Sequence, residues 1–159
     1  MSELEVRIER LNPMRVASVR VVSETPERDA WSKMREWAEP LKLLEDVEKN
    51  PVFGFNNPSP VPGRREYGYE FWIRIDPGID PGIDPEGDIQ LREFPGGLYA
   101  VTKCSLLGDP NILETWKLLW DWVAESKYQH RKTHELEKPL NPLSPEEDLI
   151  LDLYLPIEE

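Results

Sequence analysis

Positive charge, cysteine and histidine are all scarce in this chain, and no long apolar run is present. The 159 residues carry 19 Lys and Arg against 31 Asp and Glu, a formal net charge of −12. Binding through nucleic-acid phosphates requires clustered basic residues that release counterions, and an anionic membrane surface selects for the same clusters. Nucleic acid and membrane are therefore not expected as partners. The single cysteine, Cys104, excludes an internal disulfide and suits a reducing cytoplasm; its place in a strand pattern predicts a buried, inert thiol. His130 and His134 are four apart, as zinc ligands on a helix would be. They lie in the polar Gln129 to His134 connection and lack a glutamate directly after the first histidine, so a solvated turn is expected and no metal. No stretch approaches the length of a membrane span, and the N-terminus lacks the basic and apolar regions of a signal peptide, which points to a cytoplasmic protein. Glycine-rich phosphate loops, nucleophile elbows and cysteine clusters are absent, and only one helix precedes residue 40, too few for a helix-turn-helix. No cofactor is expected.

Aromatic residues, by contrast, are plentiful. Six Trp, five Tyr and four Phe within 39% hydrophobic residues suffice for the core of one domain over residues 1–159. Tyr67 to Ile75 alternates strictly, placing Tyr67, Tyr69, Phe71, Ile73 and Ile75 on one face of a strand, and Gly68, Glu70, Trp72 and Arg74 on the other. Glu70 stands mid-strand among aromatics, where an unpaired buried charge costs several kcal/mol. Either it faces solvent or it meets a partner.

The remaining elements follow from periodicity and punctuation. Strands are predicted at Val6 to Leu11 and Met14 to Val22, joined as a hairpin by Asn12-Pro13. A helix follows from Pro26, capped by Thr25 and ending before Pro40, with a short second piece at Leu41 to Val47. Val52 to Asn56 reads as a strand. The tandem Ile-Asp-Pro-Gly repeats after Ile75 read as a linker at about 77–87. Beyond it, Ile89 to Phe94 and Leu98 to Ser105 flank Pro95-Gly96-Gly97 as a second hairpin, and Asp109 caps a helix that starts at Pro110 and runs to about Lys127. Thr133 to Lys138 and Leu149 to Ile157 complete the strands.

The two halves repeat one another. Val6-Arg7-Ile8 aligns with Ile89-Gln90-Leu91 and Ala17 with Ala100 at an offset of 83; Trp31 and Trp37 align with Trp116 and Trp122 at 85; Tyr69 to Ile75 aligns with Leu151 to Ile157 at 82. Three blocks in the same order define pseudo-repeats at about 4–76 and 88–158. The expected fold is α+β: duplicated ββαββ units forming one antiparallel sheet of about eight strands, two main helices on one face and a central groove. Phe55, Tyr67, Tyr69, Trp72, Tyr99, Trp116 and Trp120 can line such a groove. The repeat also matches Glu70 with Asp152, so an acid at this strand position belongs to the repeated pattern.

Tyr-Gly-Tyr-Glu-Phe-Trp at 67–72, Phe-Pro-Gly-Gly-Leu-Tyr-Ala-Val at 94–101, the Trp116 to Trp122 helix followed by Glu125-Ser126-Lys127-Tyr128, Leu136-Glu137 and the terminal Tyr154-Leu155-Pro156-Ile157 together resemble the GyrI-like small-molecule-binding domain. That module also serves as the effector-binding part of multidrug-responsive and AraC-type regulators. The resemblance implies a stand-alone binder of hydrophobic, cationic aromatic compounds, with an aromatic pocket around an essential glutamate. By motif position the acids are Glu70 and Glu137, with Trp72, Tyr69, Tyr99, Trp116, Trp120 and Phe55 as ligand-binding aromatics. Some family members are hydrolases that open the cyclopropane of DNA-alkylating natural products; on that alternative Glu70 and Glu137 are the catalytic acids. A further alternative is a protein-interaction module of the gyrase-inhibitor kind.

Overall fold

The computed structural model describes residues 4–76 and 87–159; the expected linker falls almost wholly outside the described residues. In chain order the elements are β1 (Arg7–Leu11), β2 (Met14–Ser23), α1 (Pro26–Ala38), β3 (Val52–Asn56), β4 (Tyr67–Ile75), β5 (Gln90–Phe94), β6 (Gly97–Ser105), α2 (Ile112–Ala124), β7 (Gln129–His130), β8 (Leu136–Pro139) and β9 (Ile150–Glu158), with a 3-10 turn at Glu146–Asp148. Every strand pairs antiparallel and each helix covers one strand face, which makes the fold α+β. No described helix is long and apolar enough to cross a membrane.

The chain divides into two compact units, Pro13–Phe94 and the pair Met1–Asn12 with Pro95–Glu159. Within Pro13–Phe94 the strand order is β3-β4-β2-β5. Helix α1 buries Ala30, Met34 and Ala38 against Ala17, Val19, Ile73 and Ile75, the inward alternates of β2 and β4. In the other unit the order is β1-β6-β9-β8, and β7 pairs with the far end of β9. Here α2 packs Leu119 and Val123 on Ala100, Cys104, Leu151, Leu153, Leu155 and Ile157.

Neither expected hairpin exists. Both edges of β2 are taken, by β4 and β5, and both edges of β6 by β1 and β9. The first strand of each sequence repeat therefore pairs in the unit built mainly from the other repeat. Alternation and turn residues establish that a strand exists and where it ends, but β1 and β5 carry the same pattern and either register satisfies it.

Smaller departures have local causes. Thr25 does precede α1, but its hydroxyl donates to Asp29 Oδ2 at 3.2 Å instead of capping a backbone amide. Ser23 Oγ donates to the same oxygen at 2.6 Å. Asn111, not Asp109, caps α2: its Oδ1 accepts from the Glu114 amide at 3.0 Å, so the helix starts at Ile112, two residues later than expected, and ends at Ala124. Leu41 to Val47 forms turns with Lys42 at positive φ instead of a helix, and the strand expected at Thr133 to Lys138 shortens to Leu136–Pro139. His130 lies in β7, half-buried, with its ring 4.5 Å from that of Trp120, not in a solvated turn.

Candidate functional site

Glu70 sits on the face of β4 turned away from α1, and it is buried to 3% exposure. The solvated reading therefore fails. Its carboxylate is met by neutral donors from three segments: Ser18 Oγ (2.7 Å) and Trp72 Nε1 (2.6 Å) donate to Oε2, and Asn57 Nδ2 (3.1 Å) donates to Oε1. The Arg92 guanidinium, half-exposed on β5, approaches Oε2 at 3.6 Å. Trp72 is further held edge-on by Phe55 at 4.8 Å and tilted against Phe94 at 5.2 Å. A buried carboxylate of this kind is stabilised by its hydrogen bonds and fixes its donors in return. Ser18, Asn57 and Arg92 were not anticipated; the one signal for Ser18 is a lone hydroxyl within the apolar Val16 to Val19 run.

Glu137 is placed differently. It lies on β8 opposite Leu153, hence on the face covered by α2, and is only partly buried. Trp116, one turn into α2, donates its indole N–H to Glu137 Oε2 at 3.0 Å. Trp120, a turn further on, is exposed and turns toward His130. The matching register position in the other unit is Gly54, opposite Phe71. A Cβ on Gly54 would lie 2.5 Å from the Tyr69 hydroxyl, so glycine is required there for the Tyr69 ring to lie across the strand. Tyr69 is buried and stacks obliquely on Phe71 at 4.9 Å, which meets Trp31 of α1 at 5.1 Å. Trp31 and Phe71 thus belong to the same aromatic layer, though neither was among the ligand-binding candidates.

The remaining candidates, Tyr99 and Tyr67, each contact residues of other elements. Tyr99 is fully buried on the face away from α2, edge-on to Tyr154 at 5.7 Å and under the Arg131 guanidinium at 5.1 Å. Burial is the main cause of its raised phenol pKa, opposed by Arg131. The Tyr67 hydroxyl donates to Glu27 Oε2 at 2.6 Å; burial and then this carboxylate push its pKa up to about 12. The structure thus brings Glu70, Trp72 and Phe55 together on one face of one unit, and Glu137 with Trp116 on the helix-covered face of the other. Among the described residues no group of three metal-ligating side chains converges.

The GyrI-like small molecule binding domain model matches residues 4–158. The chain belongs to this family. No curated protein sequence matches it. Among solved structures it is similar to EcmrR in complex with DNA, at 13% identity and a TM-score of 0.68, covering 98% of this chain and 57% of that one. The chain thus spans little more than half the length of that relative. It is also similar to a hydrolase from Listeria innocua (11% identity, TM-score 0.71, 98% of this chain and 93% of that one) and to SAV2435 bound to tetraphenylphosphonium (10% identity, TM-score 0.59, 98% and 94%).

Proposed function

We propose that this small-molecule-binding domain takes hydrophobic, cationic aromatic compounds, and that Glu137, held by Trp116, is the acid that reads their charge. The observation that supports this assignment is the contrast between the two acids. Glu70 is 3% exposed and already accepts three hydrogen bonds beside an arginine, whereas Glu137 is partly open and stands next to a half-buried indole. A carboxylate beside an aromatic face attracts a lipophilic cation both by charge and by the ring quadrupole, roughly 0.5–2 kcal/mol per ring. On this reading Glu70 is a positioning residue that fixes Trp72 and the β2-β4 pairing.

Titration with tetraphenylphosphonium, followed by tryptophan fluorescence, tests the assignment. Glu137→Gln is expected to weaken binding at least about tenfold, and Glu70→Gln to change it less than about threefold while lowering the melting temperature. Weaker binding in Glu70→Gln with unchanged binding in Glu137→Gln would overturn it.

A second reading is hydrolysis of a reactive polycyclic compound such as a DNA-alkylating cyclopropane. Likeness to a structure described as a hydrolase favours it. Glu137 would then act as the general base toward water, with Trp116 stacking on the substrate. Product formation by wild type and none by Glu137→Gln would separate catalysis from capture.

A further inference from the structure

Register, not sequence similarity alone, makes Asp152 the counterpart of Glu70. Ser18 pairs with Trp72 on one side and Gln90 on the other; Val101 pairs with Tyr154 and Arg7 in the same pattern. Glu70 precedes Trp72 by two residues on β4, as Asp152 precedes Tyr154 on β9. Both acids face away from their unit's helix and both are buried, Asp152 to 5% exposure.

Their surroundings differ in one respect. The Ser18 hydroxyl that serves Glu70 is replaced by the apolar Val101. The Trp72 indole is replaced by Tyr154, whose hydroxyl hydrogen-bonds Glu9. Asn57, which follows β3, is replaced by Leu140, which follows β8. All three neutral donors are gone while the acid is retained. Arg7 Nη2 donates to Asp152 Oδ2 at 3.0 Å, as Arg92 approaches Glu70, but Oδ1 is buried with no hydrogen-bond partner. Fewer than one buried polar group in ten lacks a partner, so such an oxygen calls for a donor. The Arg7 side chain is 45% exposed and already reaches this carboxylate, which places Asp152 one side chain below solvent.

We propose that Asp152 forms a second acidic subsite, selective for a protic cation: a primary ammonium or amidinium group that donates an N–H to Oδ1, with the Tyr154 ring beside it. A quaternary cation has no proton to give, so it offers the buried oxygen charge alone and forms no hydrogen bond to it. The subsite does not depend on Glu137.

The test is an amide NMR titration of the whole chain with phenethylammonium and, separately, with its N-trimethyl analogue, reading Val101, Asp152 and Tyr154. Phenethylammonium is expected to shift these amides saturably and to bind at least about tenfold tighter than the trimethyl analogue, because only the former donates a charge-assisted hydrogen bond. Asp152→Asn should abolish the preference. Val101→Thr restores a hydroxyl at the position of Ser18 and should weaken phenethylammonium at least about fivefold in a chain that stays folded, since the oxygen is then served internally. Glu137→Gln should leave the preference intact, which separates this subsite from the acid proposed above. Equal binding of the two probes, no saturable shift, or unchanged preference in Asp152→Asn or in a folded Val101→Thr variant would each overturn the proposal.

Discussion

Cys104 shows how a single residue reports on its unit. Burial pushes its thiol up to about 11, the Glu137 and Asp152 charges add to the rise, and a hydrogen bond with Thr115 opposes it. The folded state thus favours the neutral thiol. Its stabilising effect is complete below the ordinary value of 9.0 and is lost as pH rises through about 11, because the unfolded chain releases the proton first. Iodoacetamide at neutral pH should leave Cys104 unmodified in the native protein and react once denaturant is added, as mass spectrometry will show. The loss of stability above pH 9 should also be shallower in Cys104→Ala. The sequence pattern already pointed to a buried thiol. It could not show that the nearby acids contribute, since Glu137 and Asp152 reach Cys104 only through the pairing of β6, β8 and β9. Glu70 teaches a related lesson: alternation put it on the right face, but its donors come from Ser18, Asn57 and Trp72, and the first two lie far from it in the chain.

Among the elements, β4 was fully legible because nine residues alternate without interruption, and α1 because Pro26 and Pro40 bracket one apolar stripe. The start of α2 was misplaced because Asp109 and Asn111 are both good caps and only one can be used. Asn111→Ala should therefore cost about 0.5–2 kcal/mol in urea denaturation, whereas Asp109→Ala should stay within about 0.5 kcal/mol. Equal effects would mean that the helix frays back to Pro110. β7 was missed because two residues carry no periodicity; only its pairing with Glu158 and Ile157 defines it.

At the scale of the whole molecule, the α+β class was legible, and strand partnership was not. The repeat offsets of 82 and 83 reappear as identical registers, Ser18 with Trp72 and Val101 with Tyr154, yet the first strand of each repeat pairs in the unit built mainly from the other. Residues 13–94 form one continuous stretch with a complete β3-β4-β2-β5 set. Produced alone, that stretch should give a dispersed amide spectrum. A fragment cut at the sequence repeat, residues 1–82, lacks β5, leaves an edge of β2 open, and should self-associate on size-exclusion chromatography. The opposite pair of outcomes would show that the sequence repeat is also the folding unit.

The two changes of unit, at Asn12-Pro13 and at Phe94-Pro95, leave the period of the gene out of phase with the period of the fold. One repeat cut out alone would keep a first strand without its β6 partner and a β2 edge without β5. Each acid keeps its own surroundings within that scheme: Ser18 and Trp72 donate to Glu70, and Val101 and Tyr154 occupy the matching register positions near Asp152.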